Sequence, residues 1–431
     1  MGSVLRELAV HVRRQTNHRR IVAVFPDEQC SEAGQRLSHG LESMLPPDCE
    51  LSIVPMRQLL DEPNANSQTT SQCDVLLADN ILTSSCGELP KPLMDALLRL
   101  LRDGGVLLLR QDLADQPMGM AMLTQRLEEL CLVENERMST LKVNWVRQIE
   151  ASIHAKRNFV DLCWCLQKVS KRSDGVTRQF LDQTQYQREG ILAYEWIFGN
   201  DFISPGGAAQ NLQFLEMLDL QPGERMLDVG CGIGGSLHQT AQEYGCHVLG
   251  VDLSSNTLSI ALERLQKQPD SRIRYVLADM MTHEFGSGSF DVVYCRDVIQ
   301  HIDDKQTLYA RFHRWLRPGG RLLTTGYTAG DAPFTEQFKA YLKDRHYALK
   351  PSAEYVAACR NAGFTQVDCV DLTPRFRAIL QSEIAVAEKE RKVFLEKFGE
   401  AKYEALLAGW RNKITFIDAT NHCWTMMKCR K

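Results

Sequence analysis

The 431-residue sequence has no apolar run long enough to span a bilayer, and no charged-then-apolar leader at its start. Met1-Gly2-Ser3 opens as a myristoylation signal would, but position six is Arg6 where that signal needs Ser or Thr. No block of one charge sign stands out either. The 50 basic and 54 acidic residues are interspersed and leave a formal charge of -4. That balance argues against a nucleic-acid-binding surface or an anchor on an anionic membrane, though not against a small basic pocket. The 14 cysteines include no CxxC pair, and no Cys/His cluster has zinc spacing, so no metal site is expected. Cys163-Trp164-Cys165 reads as a buried helical pair. Together these absences predict a cytoplasmic monomer with reduced thiols, working on a small molecule.

What is present is the alternation of an α/β protein. Hydrophobic content of 44% and charged content of 24% suit a soluble globular chain long enough for two or three domains. Residues 1–20 read as a short helix with a basic end. Near-continuous apolar runs then recur at Arg20–Phe25, Leu51–Val54, Cys73–Ala78 and Asp103–Leu109, separated by helical segments. Runs of this kind indicate parallel strands covered on both faces. Residues 120–180 read as mostly helical, with the polar stretch Ser170 to Gly175 as the best linker. The second half repeats the alternation at Arg225–Val229, His247–Val251, Arg274–Ala278, Phe290–Tyr294 and Arg321–Thr325. Leu101-Arg102-Asp103-Gly104-Gly105-Val106 echoes Leu316-Arg317-Pro318-Gly319-Gly320-Arg321, and Cys73-Asp74-Val75-Leu76 echoes Phe290-Asp291-Val292-Val293. The halves look like two copies of one fold. The expected division is 1–150, a linker over 151–176, and 177–431.

Only the second copy has a glycine loop. After Val229 the chain reads Gly230-Cys231-Gly232-Ile233-Gly234-Gly235 and enters a helix, a sequence that lets backbone approach a ligand closely. Gly230, Gly232 and Gly235 also fit the GxGxxG of a nicotinamide-dependent oxidoreductase, and a plain strand–turn–helix is the bland reading. The context decides. Asp228 precedes the first glycine by two, Asp252 closes the next strand, Ala278-Asp279-Met280 ends the third, and Leu316-Arg317-Pro318-Gly319-Gly320 precedes the fifth. This set resembles class I methyltransferases. The resemblance implies a Rossmann-like, doubly wound, mostly parallel seven-stranded sheet with a helical lid, preceded by a degenerate α/β copy. It implies S-adenosylmethionine held by Asp228, Gly230, Gly232, Gly234, Asp252, Leu253, Asp279 and Met280. In the first half, Pro26-Asp27-Glu28-Gln29-Cys30 takes the loop's place, with no glycine and an acidic pair. That copy is expected not to bind the cofactor.

The flanking residues narrow the substrate. Phe180 to Tyr186, Tyr194 to Gly199, Phe202 to Gly207, Tyr294 to His301, Gly326-Tyr327, Phe338 to Tyr347 and Gly409 to Lys413 resemble the phosphoethanolamine N-methyltransferases. A degenerate first domain before a working second one resembles the second nematode type of that family. Plant members carry two working domains, and the protozoan type has one. The resemblance implies methylation of phosphomonomethylethanolamine and phosphodimethylethanolamine to phosphocholine. It adds Ile203, Ser204 and Arg296 to the cofactor site, and makes Gln185, Tyr186, Tyr194, Asp297, Tyr327, Tyr341, Arg345, Tyr347 and Lys413 substrate residues. Tyr186, Asp297 and His301 are then the catalytic set, with His301 paired to Tyr186.

The chemistry of these side chains agrees. Arg345 offers a planar fork for phosphate and Lys413 a compact charge, while tyrosine hydroxyls add donors. Tyr186 and Tyr194 could face a methylated cation. An alkylamine has a pKa of about 10, so it arrives as an ammonium ion without the lone pair that must attack. Asp297 could hold that ion, and His301 titrates in a range suited to taking its proton. Singly, each of these residues is as readily an ordinary surface or packing residue. Two rivals stand beside this reading: a methyltransferase for another amine or a sterol, which would not need the Tyr341, Arg345, Tyr347 and Lys413 set, and a regulator that binds cofactor but has lost chemistry.

Overall fold

Apolar runs flanked by helices become strands of α/β sheets in the computed structural model, which describes residues 20–25, 49–61, 72–81, 90–114, 119–134, 137–149, 159–169, 178 and 180–431. The chain divides into two units. One is Met1–Phe180 with Leu262–Ser271 and Val276–Asp279, and the other is Leu181–Ala261 with Arg272–Tyr275 and Met280–Lys431. The expected helix over 1–20, the Pro26–Cys30 segment and the Ser170–Gly175 stretch lie outside the described residues.

The first unit contains β1 (Arg20–Phe25), β2 (Glu50–Pro55), α1 (Met56–Asp61), β3 (Cys73–Asp79), α2 (Lys91–Leu100), β4 (Leu101–Asp112) and α3 (Met120–Glu129). After them come β5 (Cys131–Glu134), β6 (Arg137–Gln148) and β7 (Asp161–Val169). Its strand order is β2-β1-β3-β4-β7-β6, with β5 beside β6. The pairs from β2 to β4 are parallel, whereas β7 runs antiparallel to both β4 and β6. This corrects the helical reading of 120–180. Cys163-Trp164-Cys165 is buried, but in a strand, and β7 fills much of the supposed linker over 151–176. Leu162 to Leu166 is continuously apolar because a strand between two others is covered on both faces, and such a run carries no period to tell it from a buried helix.

The second half contains β8 (Arg225–Val229), β9 (His247–Asp252), β10 (Ile273–Ala278), β11 (Phe290–Arg296), β12 (Leu316–Ala329), β13 (Thr365–Asp371) and β14 (His422–Arg430). Their order is β10-β9-β8-β11-β12-β14-β13, with β14 antiparallel to β12 and β13. Leu227, Val229, Val251, Val292, Val293, Leu322 and Leu323 are wholly buried, as a sheet covered on both faces requires. This is the seven-stranded class I methyltransferase sheet. The first unit repeats its order from β9 onward and has no described counterpart of β10. Around the second sheet lie α4 (Arg188–Phe198), α5 (Gly207–Glu216), α6 (Gly235–Tyr244), α7 (Ser255–Lys267), α8 (Lys305–Trp315), α9 (Glu336–Arg345) and α10 (Ser352–Asn361). The charged insertion before β14 forms α11 (Thr373–Lys389), α12 (Arg391–Phe398) and α13 (Glu400–Asp418). Among the described residues, no helix is long and apolar enough to cross a membrane.

The sequence echo is a structural one. Register slips between Cys73↔Leu101 and Val75↔Val106 in one unit, and between Phe290↔Leu316 and Val292↔Arg321 in the other. Gly104 (φ 77°) and Gly319 (φ 74°) sit at the same point of that slip. Asn80 (φ 51°) and Asp297 (φ 57°) occupy equivalent left-handed positions after β3 and β11. Each donates its N–H to the next strand, to Arg110 O at 2.8 Å and Thr325 O at 3.0 Å. The two positions differ in chemistry. In the first unit Arg110 bonds Asp161 through both Nε (2.9 Å) and Nη2 (3.0 Å), and Asp79 through Nη1 (2.9 Å). Asp79 and Asp161 are thus engaged by Arg110 in an internal charge cluster. Arg110→Ala should lower the stability of this unit by about 1.5–3 kcal/mol, since Asp161 stays buried without its fork and the arginine was itself a fifth exposed. Chemical denaturation checks this, and an unchanged midpoint would rule the cluster out as a stabilising element.

Candidate active site

β8 is buried from Met226 to Val229 and then turns through Gly230 (φ 75°), Gly232 (φ 56°) and Gly234 (φ 94°) into α6. A Cβ at Gly230 would collide with Val298, and one at Gly234 with the Tyr275 hydroxyl, so both position and φ demand glycine. Val251 O accepts from the N–H groups of Gly230 (2.7 Å) and Cys231 (3.2 Å). Asp252 Oδ2 accepts from Gly232 N–H at 2.8 Å, while its Oδ1 accepts from Ser254 N–H (2.9 Å) and the Thr257 hydroxyl (3.2 Å). Asp228 is buried below the loop with Oδ2 unpartnered. Burial pushes the Asp228 carboxyl up to about 7 and that of Asp252 up to about 6. No basic side chain lies within ion-pair distance of either among the described residues. Two such acids beside a glycine loop fit a ligand carrying positive charge, and oppose a pyrophosphate.

The lid packs onto this loop. Its first turn, the π-helical Leu181–Gln185, is pinned by Asp182, which accepts from the hydroxyls of Ser254 (2.5 Å) and Ser255 (2.6 Å). Asn256 donates to Tyr186 O at 2.9 Å. Tyr186 and Ile203 pack on a cluster of Ile191, Ile233 and Ile260, with Ile233 contributed by the loop itself. Gly235 N–H donates to Asp201 O at 3.1 Å, and Ser204 O accepts from Gly207 N–H at the same distance. Leu253 follows Asp252 directly; Asp279 and Met280 follow β10, with Met280 O accepting from Arg311 at 2.8 Å. Arg296 is directed elsewhere than the loop. Its guanidinium donates to Pro205 O (2.6 Å), Gly207 O (3.1 Å) and Asn211 Oδ1 (3.3 Å). Its reach toward a cofactor is through that turn.

At the end of β11, Asp297 Oδ1 accepts from Trp424 Nε1–H at 2.7 Å and from the Thr325 hydroxyl at 2.9 Å. Its Oδ2 is buried without a hydrogen bond, 3.7 Å from Arg296 Nε. Arg345 ends α9 close to Tyr186, Tyr194, Tyr341 and Tyr347. Its backbone O accepts from Gln185 Nε2 at 3.0 Å, which ties the lid to α9. Lys413 Nζ stands 5.4 Å from the Tyr327 ring centroid. Among the described residues, neither Arg345 nor Lys413 has a carboxylate within ion-pair distance. Burial, and then Arg345, lower Lys413 to about 8. Tyr327, Tyr341 and Tyr347 form one ring cluster, with centroids 5.7–5.9 Å apart, and the Tyr341 hydroxyl is buried without a partner of good geometry.

His301 sits on the short 3₁₀ turn Ile299–His301, edge-on to Tyr347 at 4.9 Å. No hydrogen bond joins it to Tyr186 in this structure. Burial, followed by the charges of Lys305, Arg345 and His346, lowers His301 to about 4, well below the range its type suggests. The imidazole is therefore neutral through the physiological range. Several residues at the site carried no legible sequence signal. Trp424, which orients Asp297, reads only as an apolar strand residue. His422 is fully buried against Tyr327 (4.6 Å between centroids) with both ring nitrogens unpartnered. Asp182 lies within the lid motif, and its acidic character at a helix start was the available cue.

Comparison with known proteins gives a consistent result. The family described as "Phosphoethanolamine N-methyltransferase 2 N-terminal" matches residues 2–172, and a methyltransferase domain matches residues 227–324. The chain is 34% identical to phosphoethanolamine N-methyltransferase 2 of Caenorhabditis elegans, over 100% of this chain and 98% of that protein. A wheat (Triticum aestivum) phosphoethanolamine N-methyltransferase is 39% identical over 66% of this chain, which spans 56% of its length. The solved structure of Haemonchus contortus phosphoethanolamine N-methyltransferase 2, in complex with phosphomonomethylethanolamine and S-adenosylhomocysteine, matches with a TM-score of 0.92 at 36% identity, covering 100% of this chain and 99% of that one.

Proposed function

The chain belongs to the phosphoethanolamine N-methyltransferase family, and we propose that it converts phosphomonomethylethanolamine and phosphodimethylethanolamine to phosphocholine. It is an S-adenosylmethionine-dependent methyltransferase acting on phosphobases. One observation supports the substrate reading: the acceptor pocket holds a buried carboxylate oxygen without a hydrogen bond, on Asp297 beside Arg296, and two cations with no carboxylate in ion-pair range, Arg345 and Lys413. That charge pattern complements a molecule with an ammonium at one end and a phosphate at the other. A sterol or a simple amine would leave both cations uncompensated in a low-dielectric pocket, which is costly. The preference for the methylated phosphobases follows the two-domain layout shared with the nematode relatives. Labelled methyl transfer to phosphoethanolamine and its mono- and dimethyl forms, side by side, tests it. Efficient turnover of unmethylated phosphoethanolamine would overturn the preference, and no transfer to any of the three would overturn the function.

Bound S-adenosylmethionine supplies a methyl on a sulfonium centre. Asp228 and Asp252 offer carboxylates to its cationic and ribose portions, with Gly230, Gly232 and Gly234 leaving room for it. Leu253, Asp279, Met280, Ile203 and Ser204 complete that side. Asp297 orients the amine through Oδ2, with Oδ1 fixed by Trp424 and Thr325. Arg345, Lys413 and the tyrosine hydroxyls hold the phosphate. His301 takes the amine proton, and Tyr186, whose buried hydroxyl stays protonated, acts as its hydrogen-bonding partner once the lid closes. The protein contributes alignment and exclusion of water. The catalytic domain begins near residue 177, and the first domain is a non-binding copy. Calorimetric titration with S-adenosylhomocysteine should then give one site per chain, and a second site of similar affinity would defeat that assignment.

Arg345→Ala and Lys413→Ala should each raise the phosphobase KM roughly ten- to hundred-and-fifty-fold, since charge-assisted contacts are worth about 1.5–3 kcal/mol. Donor affinity should stay constant. With Lys413 lowered to about 8, phosphobase KM should also rise as pH passes about 8 and the ammonium discharges. That limb should vanish in Lys413→Ala. Unchanged KM in both variants would remove the pair from the phosphate site.

A further inference from the structure

Helix α11 buries a stripe at Phe376, Leu380, Glu383 and Ala387, the spacing of an apolar helix face. A carboxylate stands where that pattern calls for an aliphatic side chain. Glu383 is only 6% exposed, and a buried charge at a core position is expensive unless it does something there. Its Oε1 accepts from Gly206 N–H at 2.9 Å, while Oε2 is buried without a partner. Gly206 (φ 78°) is the centre of the turn Pro205-Gly206-Gly207, whose flanking carbonyls accept from Arg296. The turn is therefore gripped from two sides, by the end of β11 and by α11.

The turn also continues directly from Ile203 and Ser204, over the glycine loop. A Cβ at Gly232 would lie 3.3 Å from Ile203 Cδ1, so this segment is the roof of the donor site. Helix α11 belongs to the other site as well. It packs against α13, which carries Lys413, and Lys413 and Arg296 are the cations that act on Glu383. The insertion grips the lid at further points: Trp410 meets Phe198 edge-on at 5.9 Å, Phe394 meets Trp196 at 5.3 Å, and Arg375 bonds Gln210 and Gln213 of α5. The lid and the insertion form one cap spanning both ligands.

We propose that Glu383 is a positioning residue that couples the two ligand sites: by holding Gly206 from the helical cap that also carries Lys413, it makes closure over the phosphate and closure over the methyl donor one event. This rests on the functional reading above. Coupling of this kind is reciprocal, so each ligand must tighten the other by the same factor.

The test is calorimetry on the full chain with S-adenosylhomocysteine, alone and with saturating phosphomonomethylethanolamine. In the wild type the second ligand should tighten the first about five-fold or more. Glu383→Met fills the same volume with no acceptor, and replacing a buried charge by an apolar group of similar size is commonly tolerated by the fold. In that variant the factor should fall to about one while each ligand still binds alone. Glu383→Gln, which keeps an acceptor for Gly206 N–H, should restore most of it. Thermal melting verifies folding, and Glu383→Leu replaces the methionine variant if that one unfolds. A wild type without coupling, a methionine variant with wild-type coupling, or a glutamine variant that fails to restore it would each overturn the proposal. If the wild type binds no phosphobase at all, the functional reading falls with it. Normal binding of both ligands with unaltered coupling in Glu383→Met sinks the coupling role alone.

Discussion

His301→Ala is expected to lower kcat by about 10²–10⁴-fold, the range of a lost general base, with donor affinity unchanged. The incoming ammonium has a pKa of about 10, and methyl transfer requires its lone pair. His301 is a neutral nitrogen base on the short turn that follows Asp297. The structure changes the pH behaviour to be expected of it. Held at about 4 by burial and neighbouring cations, its base form is available down to that pH, so kcat/KM should show no His301 limb near 6.5. A limb near 6 from the second phosphate ionisation of the substrate should persist in wild type and variant alike. When a phosphate dianion settles on Arg345, one of the charges depressing His301 is neutralised, and the imidazole becomes a stronger base at the moment it is needed. Tyr186→Phe should also depress kcat. The two side chains are not bonded in this structure, though both approach Tyr347. Residues acting as a unit are non-additive. A double variant whose loss equals the product of the single losses would show independent roles, and near-wild-type kcat in His301→Ala would leave Asp297 and water as the proton's route.

Asp297→Asn is expected to cost about 2–5 kcal/mol in kcat/KM, or roughly thirty- to several-thousand-fold. The substitution is nearly isosteric, and Trp424 Nε1–H and the Thr325 hydroxyl can still donate to the retained oxygen. The amide nitrogen then occupies the place of Oδ2, which accepts no hydrogen bond here, and points a donor at a substrate that arrives as a cation. The loss should therefore be large while folding is preserved, which thermal melting and steady-state kinetics with phosphomonomethylethanolamine separate. The effect should shrink as pH rises toward the amine's own pKa, because a neutral amine needs no counterion. A kcat/KM within about three-fold of wild type would place the ammonium elsewhere.

What the amino-acid order determined by itself was everything dictated by local backbone needs. The glycine loop demands positive φ at Gly230, Gly232 and Gly234, and only glycine meets that need cheaply, so the loop was legible in three alternate positions. The parallel strands of both copies announced themselves as short apolar runs between helices, and the repeated Gly-Gly slip near the start of β4 and β12 was visible as a six-residue echo. Tertiary structure decided the rest. β7 looked helical because an apolar run covered on both faces has no telling period; only its pairing with β4 and β6 makes it a strand. Arg110 binds Asp161 across 51 positions of chain, and Trp424 orients Asp297 across 127. Glu383 holds Gly206 across 177 positions. The basicity of His301 likewise depends on burial and on charges brought from other elements. Such effects are long-range because they depend on which groups the fold places within a few ångströms and out of water, and no local pattern of residues records that distance.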